Sequence, residues 1–220
     1  MHGINININS NKTKYFKPSS NTIIMETSAH KKYRWITDSL EDIARCIDGK
    51  SVLVGGTALA IFYLNHRVSV DIDLVPLEDE PDQAKEKLKG ELSKAGYNIL
   101  RTAFTNQFVI QFIDTGVKVE LFIPQRHLGE PVIKKAGEEA IKVANLEDLL
   151  KMKEDAWLER GKARDLFDIV AILRRKGLNM KHAIELLKKK GLPEDVEELK
   201  TMVIDDAAYA EFEGVLKHAR

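Results

Sequence analysis

The sequence predicts an α/β (α+β) fold, in which a mixed β-sheet with flanking helices is followed by an all-helical region. Short apolar strand patterns alternate with amphipathic helix patterns up to residue 143. Between two apolar runs, Asp114-Thr115-Gly116 is typical of a β-hairpin. From Asn145 onward only helical patterns remain. We therefore divide the chain into a tail or peripheral segment (1–30), a core (31–143) and a C-terminal helical region (144–220).

Composition restricts the function classes open to this chain. Its 220 residues are 44% hydrophobic, and its 34 Lys and Arg residues balance its 34 Asp and Glu residues. A neutral chain does not bind nucleic acid through bulk charge, so such binding requires a local patch. The single cysteine, Cys46, excludes an intrachain disulfide and a thiolate metal site. We see no signal peptide and no apolar stretch long enough for a bilayer, so we expect a cytoplasmic protein without a membrane partner.

The first predicted elements are a helix, a strand, a second helix and a second strand. The first helix has apolar residues at steps of three and four, and it ends at Gly49. These apolar residues are Tyr33, Ile36, Leu40, Ile43 and Ile47. A strand over 51–54 then turns at Gly55-Gly56-Thr57 into a helix over 58–65, and a strand over 68–75 follows.

The later elements complete the predicted sheet and begin the helical region. An amphipathic helix is predicted over 82–95, and strands over 97–102, 108–113, 117–123 and 141–143. Asn145 is a plausible N-cap for the helix that follows. Glycines separate the successive helices at Gly161, Gly177 and Gly191.

Two aspartates interrupt the apolar strand predicted over 68–75. Side chains alternate along a strand, so Ser69, Asp71 and Asp73 share one face. The Cα atoms of Asp71 and Asp73 then lie about 6–7 Å apart, and the two carboxylates repel each other unless a cation lies between them. Mg²⁺ suits this pair because it takes oxygen ligands and is completed by substrate phosphates. The alternative is a solvated strand face, although Asp is a poor strand former.

A third carboxylate, Glu120, alternates with aliphatic residues in the strand predicted over 117–123. If this strand pairs beside the aspartate strand, Glu120 joins Asp71 and Asp73 in a three-carboxylate cluster. Such a cluster can hold two metal ions, which clamp the entering and leaving oxygens of a phosphoryl transfer. Alone, such a glutamate is more often a surface residue.

The Gly55-Gly56-Thr57 turn lies between a buried strand and a helix. Backbone N–H groups at a helix N-terminus bind anions, and two glycines would let a triphosphate approach closely. The alternative is a tight turn that only needs a positive φ. No Gly-Lys-Ser/Thr follows, so the turn is not a Walker A loop and a P-loop NTPase is disfavoured.

These motifs in combination resemble a known family. The runs 53–60 and 66–74, which carry Gly-Gly-Thr and Asp-Ile-Asp, are similar to the first motif of the DNA polymerase β-like nucleotidyltransferase superfamily. With the helical segments 146–153 and 160–169, the chain looks like the AbiEii/AbiGii-type nucleotidyltransferases, whose members include toxins of type IV toxin–antitoxin systems. The resemblance covers about residues 30–175. It implies a nucleotidyltransferase-fold sheet followed by a helical bundle.

The resemblance also implies an activity. The chain would be a Mg²⁺-dependent nucleotidyltransferase that moves a nucleoside monophosphate from an NTP to an acceptor, either tRNA or a protein. Asp71, Asp73 and Glu120 would bind the two metal ions, and Glu120 would help to deprotonate the acceptor hydroxyl. Lys153 would reach the β- and γ-phosphates, and Asp165 would position Lys153 or the acceptor. A toxin role would add a cognate antitoxin as a partner.

Five further residues would bind the nucleotide by the same resemblance. Gly55, Gly56 and Thr57 would hold the NTP phosphates. Arg67 and Ser69 lie inside the motif, where they would touch phosphate or support the aspartates.

Each role has a plainer alternative. Lys153 could be an ordinary exposed helix lysine. Asp165 and Asp168 share a helix face and could simply pair with basic neighbours, namely Arg160, Lys162 or Arg164. We expect His66 to be structural, and no His-x-x-x-His spacing points to zinc.

Basic residues in the helical region form a candidate RNA-binding surface. The run Lys188-Lys189-Lys190 is most often a solvated helix end. Together with further cations it could receive an RNA acceptor. These cations are Arg160, Lys162, Arg164, Arg174, Arg175 and Lys176.

Two other function classes stay open at this point. The chain could be a non-catalytic nucleotide- or partner-binding module on the same scaffold. A hydrolase that uses the same metal cluster ranks last.

Overall fold

The computed structural model of the chain describes residues 27–218. Seven strands lie in this part of the chain: β1 (Ser51–Val54), β2 (Asp71–Pro76), β3 (Asn98–Arg101), β4 (Gln107–Gln111), β5 (Gly116–Leu121), β6 (Val132–Ala136) and β7 (Glu139–Val143). Its α-helices are α1 (Ser28–Ile47), α2 (Gly55–Leu59), α3 (Pro81–Lys94), α4 (Leu146–Arg160), α5 (Ala163–Arg175), α6 (Lys181–Lys190), α7 (Val196–Lys200) and α8 (Asp206–Lys217).

All seven strands form one sheet in the order β3-β4-β5-β2-β1-β7-β6. β1 pairs with β2 in antiparallel fashion, whereas β2 pairs with β5 and β1 with β7 in parallel. β4 and β5 form the antiparallel hairpin that Asp114-Thr115-Gly116 predicts. The mixed sheet with flanking helices confirms the predicted fold class, and it places β2 and β5 side by side near the centre.

Two apolar clusters hold the described residues together. The first lies between the sheet and its flanking helices, with Ile36 of α1 and Leu92 of α3 fully buried against strand residues such as Ile72. The second surrounds α5 in the helical region and includes Trp157 and Phe212. Full burial of such a side chain stabilises the fold by about 1.5–3 kcal/mol. Because α5 is buried on almost all sides, polar residues on it must find partners inside the protein.

The connection from β1 to α2 has no intervening loop. Val54 ends the strand, and Gly55, with φ +72°, begins the helix. A π-helical turn over Ala60–Leu64 follows directly, and Asn65 ends it in the left-handed conformation. The single helix predicted over 58–65 is therefore part α-helix and part π-helix.

The predicted caps of the helical region are confirmed. The Asn145 side chain accepts hydrogen bonds from the N–H groups of Glu147 and Asp148 at 3.1 and 2.9 Å. Gly161 ends α4 with φ +66°. Glycine has no Cβ, so this left-handed backbone conformation causes little steric strain. Gly177 and Gly191 also have positive φ, beyond the ends of α5 and α6.

Two strands also differ from the prediction. The strand expected over 68–75 begins only at Asp71, because the Val68 N–H donates to the Met202 carbonyl oxygen at 2.8 Å, outside the sheet. Edge strand β6 was not predicted, since its apolar residues are exposed and adjacent rather than alternating, with Ile133 61% exposed.

The remaining two expectations concern the N-terminal segment and membrane-spanning helices. The predicted tail over 1–30 lies outside the described residues as far as position 26, and Ser28 already begins α1. Within 27–218, no helix combines the length and the apolarity needed to cross a membrane.

Candidate active site

Three acidic side chains and one lysine share a face of the two central strands. In the parallel register of β2 and β5, Asp73 lies beside Glu120 and Asp71 beside Lys118. Alternation puts all four on the face opposite the buried Ile72. All four line one cleft. Glu120 therefore lies on the same side of the sheet as the aspartate pair, which a shared metal site requires.

The glycine turn lies against these carboxylates. Val54 pairs with Asp73, and the turn follows it directly. A Cβ on Gly55 would overlap the Asp73 carboxylate, whose Cγ would be 3.0 Å away, and its φ of +72° is also unfavourable for other residues. A Cβ on Gly56 would lie 2.6 Å from Arg67 Nη2 and 2.9 Å from Ser69 Oγ. Only glycines let the turn approach the cleft this closely.

Thr57 lies next to the cleft but faces away from it. Its side chain is fully buried, and its hydroxyl donates a hydrogen bond to the backbone carbonyl oxygen of Asp71. This bond holds the start of α2 against the start of β2. Any contact of Thr57 with a phosphate therefore falls to its backbone, because the hydroxyl is already engaged.

A buried ion network lies behind the carboxylates, with Asp168 at its centre. The Asp168 carboxylate accepts hydrogen bonds from Arg67 Nε and Nη2 at 2.6 and 2.7 Å, and Lys153 Nζ lies 2.7 Å away. His66 Nε2 is also 2.7 Å from it. Burial alone would raise the pKa of Asp168, but Arg67, Lys153 and His66 hold it well below its usual range. The network joins the segment before β2 to helices α4 and α5.

Asp165 completes this network one turn earlier on α5. Its carboxylate accepts two hydrogen bonds from Arg160, at 2.7 and 2.8 Å, and lies 3.3 Å from Lys153 Nζ. The pairing of Asp165 with Arg160, which was the plainer alternative for this residue, is thus present. The idea that Asp168 pairs with its basic sequence neighbours is wrong, because its partners come from the segment before β2 and from α4.

Lys153 is not the exposed lysine that the plainer alternative describes. Lys153 is only 7% exposed. Its ammonium contacts two buried aspartates, Asp165 and Asp168, and its side chain lines the cleft. Arg164 also lines the cleft and makes no hydrogen bond or ion pair with any residue of 27–218. The cleft therefore contains carboxylates from the sheet and two cations from the helices. Lys153 is ion-paired with buried aspartates, whereas Arg164 has no ion pair among the described residues.

The carboxylates differ in what surrounds them. Burial raises the pKa of Asp73 to about 6, and the neighbouring charge of Asp71 acts in the same direction. Lys118 Nζ lies 3.1 Å from Glu120 Oε2 and 3.8 Å from Asp71 Oδ2. Asn106 Nδ2 donates to the other Glu120 oxygen at 3.1 Å. Two aspartates on the same strand face offer hard oxygen donors, which fit Mg²⁺.

His66 and several basic residues lie away from the cleft. Between its bond to Asp168 and a ring contact with Phe167 at 5.3 Å, the His66 side chain is buried, which supports the structural role expected for it. Arg174 pairs with Asp205 and Glu211 at 3.0 and 3.1 Å. Of the predicted basic surface, only Arg160 and Arg164 line the cleft.

Two larger cavities on the surface hold none of the three carboxylates. One, of about 360 Å³, is lined by residues including His66 and Arg175, and the other, of about 490 Å³, by residues including Cys46 and Lys87. By volume alone, these two cavities would be better candidates for an active site than the cleft. The clustered carboxylates and cations of the smaller cleft are what phosphoryl chemistry needs, so the cleft is the candidate active site.

Sequence reasoning missed three features of this site. It gave no role to Lys118 or Asn106, and it did not predict that Asp168 lies at the centre of a buried ion network. The alternation of Lys118 and Glu120 along β5 was a usable signal for the first. Nothing in the sequence pairs Asn106 with Glu120 or Asp168 with Arg67, because both contacts depend on packing between distant segments.

Comparison with known proteins shows which family the chain resembles. Residues 40–219 match the family described as nucleotidyl transferase AbiEii toxin, type IV TA system. A relative, the uncharacterized protein aq_aa25 of Aquifex aeolicus (strain VF5), is 28% identical over 160 residues, which cover 73% of this chain and 74% of the relative.

Solved structures share the fold at low sequence identity. JHP933 from Helicobacter pylori has a TM-score of 0.54 and 17% identity, over 85% of this chain and 91% of that one. An antigenic nucleotidyltransferase-like protein from Paracoccidioides brasiliensis has a TM-score of 0.52 and 17% identity, over 82% of this chain and 97% of that one. The family match extends over most of the chain and includes the whole cleft, and the chain therefore belongs to the AbiEii family of nucleotidyltransferases.

Proposed function

We propose that this nucleotidyltransferase transfers a nucleoside monophosphate from an NTP to an acceptor hydroxyl, with magnesium at the carboxylates and release of pyrophosphate. The observation that carries the proposal is the register of β2 and β5, in which Asp71, Asp73 and Glu120 share one face. The same cleft contains Lys153 and Arg164. Acidic ligands and phosphate-binding cations in one cleft are the parts that phosphoryl transfer requires.

Asp71 and Asp73 would hold magnesium, with Glu120 beside them. When bound, the metal would neutralise charge on the α-phosphate and lower the pKa of a coordinated hydroxyl. Glu120 would take the proton of the acceptor hydroxyl, since each carboxylate oxygen keeps a second lone pair beyond the hydrogen bond that it accepts now.

The cations of the helical region would bind the phosphates that leave. Lys153 and Arg164 project into the cleft from α4 and α5. As the acceptor oxygen bonds to the α-phosphorus, the bond to the bridging oxygen breaks and negative charge gathers on pyrophosphate. An ammonium and a guanidinium at that end stabilise this charge. Asp165 would keep Lys153 in place through its 3.3 Å contact.

The glycine turn would receive the triphosphate chain. Gly55 and Gly56 leave no Cβ between their backbone and the cleft, and Arg67 and Ser69 back the turn. Backbone N–H groups at the start of α2 would donate to the phosphate oxygens, and Thr57 would take part through its backbone.

RNA is the acceptor that we favour, with tRNA as its leading form. Arg160 and Arg164 lie at the cleft. Lys190 Nζ donates to the backbone carbonyls of Leu158 and Glu159 at 2.8 and 3.0 Å, which extends positive charge from Arg160 toward α6. Because the family is described as a type IV toxin, a cognate antitoxin is the protein partner that we propose.

One labelling experiment tests the proposal. The chain is incubated with each α-labelled NTP and with total RNA or total protein from the source cell. We expect label in the RNA pool and release of pyrophosphate, both lost in Asp71→Asn. Asp79→Asn, which changes an aspartate outside the cleft that pairs with Lys87 at 2.7 Å, is the matched control. Nucleotide binding without pyrophosphate release in any pool would instead support a non-catalytic binding module.

A further inference from the structure

A lysine lies among the carboxylates of the proposed metal site. Lys118 is two residues before Glu120 on β5, on the same face. Its ammonium lies 3.1 Å from Glu120 Oε2 and 3.8 Å from Asp71 Oδ2, with a third of its side chain exposed. A positive charge already lies between two of the three acidic side chains.

The three carboxylates are not equally free. Both oxygens of Glu120 are engaged, one by Asn106 and the other by Lys118. The Asp73 carboxylate makes no hydrogen bond or ion pair within residues 27–218. The same part of the chain contains no group of three acidic, histidine or cysteine side chains arranged to hold a metal ion. The open ligands are therefore the two aspartates of β2.

We propose that Lys118 occupies the second cation position, so that the cleft takes one divalent ion, between Asp71 and Asp73. This inference rests on the proposed function and revises one part of it, the expected pair of magnesium ions. The lysine then balances the charge of Glu120, and Glu120 does not bind the metal directly.

Electrostatics favours this division. Before nucleotide binds, one divalent ion and the Lys118 ammonium balance the charge of the three carboxylates, so a second divalent ion would leave this cluster with excess positive charge. It would also lie within a few ångströms of an ammonium and be repelled by it. Lys153 cannot take the same position, because Asp165 and Asp168 hold its ammonium at 3.3 and 2.7 Å.

Binding of Mn²⁺ without nucleotide tests the inference independently of activity. Titration followed by electron paramagnetic resonance of free Mn²⁺ counts the bound ions. We expect one ion in the wild-type chain, two ions in Lys118→Met, and one ion in Lys118→Arg, which keeps the charge. Lys94→Met removes a surface lysine that pairs with Glu91 at 2.7 Å, and it should leave the count at one. Circular dichroism and thermal melting of each variant identify any that fail to fold.

The other outcomes overturn the inference. Two Mn²⁺ ions in the wild-type chain, or no ion at all, would contradict it, as would a count and affinity unchanged in a folded Lys118→Met. Transfer of label from an α-labelled NTP is measured on the same samples. Two ions together with transfer would overturn the lysine assignment alone, whereas the expected counts without transfer to any pool would overturn the proposed function alone.

Discussion

Asp73 of β2 and Glu120 of β5 are register partners in the parallel pair at the centre of the sheet. Two strands distant in the chain thus present acidic side chains to one cleft, and the start of α2 lies against them. The pairing matters because neither strand alone is specific: acidic residues on a single strand occur often on solvated faces. Their convergence with the cations of α4 and α5 makes this cleft the candidate active site.

Removing the Asp73 charge should abolish function and improve stability. Asp73→Asn deletes a proposed metal ligand, so we expect transfer to fall at least about 100-fold, a loss of roughly 2.7 kcal/mol in transition-state stabilisation. It also deletes a charge that burial and Asp71 disfavour. The metal-free variant should therefore unfold at a higher temperature than the wild type.

The stability gain of Asp73→Asn should depend on pH with a definite sign. The folded protein binds the Asp73 proton with a pKa of about 6, above the ordinary value of 3.8, so the wild type loses stability as pH rises between these values. The difference between variant and wild type should be near zero below pH 4 and complete above pH 6, at about 1–3 kcal/mol. Chemical denaturation in a chelator at several pH values measures it. A difference that grows toward acid would contradict the assigned environment.

Gly55→Ala should damage both stability and activity. The added Cβ would overlap the Asp73 carboxylate at a position where φ is +72°. We expect a loss of about 2–3 kcal/mol in the free energy of unfolding, from left-handed strain and the clash together. The matched control is Gly90→Ala on α3, where a Cβ meets nothing within 4 Å. That substitution should stabilise by about 0.5–1 kcal/mol, since alanine is the better helix former.

Asp168 should be the most costly carboxylate to neutralise. Asp168→Ala removes the carboxylate that pairs with the buried cations of Arg67 and Lys153. Removing one partner of a buried ion pair typically lowers the free energy of unfolding by about 3–5 kcal/mol. Asp155→Ala, which removes the partner of the exposed Arg126, should cost less than about 1 kcal/mol. Urea unfolding of both variants tests this. Similar losses in the two variants would show that the buried network contributes little.

His66 should make the protein less stable in mild acid. Burial lowers the pKa of His66, so the unfolded chain takes up this proton near pH 6.5 while the folded chain resists it. Its contribution is intact at pH 7.5 and is lost as pH falls below 6.5. The test compares Asp73→Asn with the double variant that adds His66→Asn, because the Asp73 titration acts in the opposite direction. The double variant should lose less stability between pH 7.5 and 5.5.

Arg164 should contribute to nucleotide binding and not to the stability of the fold. Arg164→Gln removes a cation that lines the cleft and pairs with nothing in residues 27–218. We expect kcat/KM for the NTP to fall about 10–100-fold, the loss of one charge-assisted hydrogen bond to phosphate. The melting temperature should stay unchanged. Arg101→Gln on edge strand β3 serves as control, and an equal kinetic loss there would refute the role.

Much of the fold was predictable because it follows from local patterns. The face shared by Asp71 and Asp73 follows from strand alternation alone, and the β4–β5 hairpin from its turn residues. The neighbour of β2 was not predictable, since alternation fixes a face and says nothing about which strand pairs with it. The same limit hid Asp168, whose partners Arg67 and His66 come from a distant segment.

The short segment before β2 connects the cleft to the helical region. The Val68 N–H donates to the Met202 carbonyl oxygen, the Ile204 N–H donates to the His66 carbonyl oxygen at 2.8 Å, and Arg67 forms an isolated β-bridge with Val203. Residues 202–204, which lie between α7 and α8, thus hold the residues that lead into the aspartate strand. A local opening of residues 202–204 would therefore also release the start of that strand, so the geometry of the cleft depends on an intact helical region.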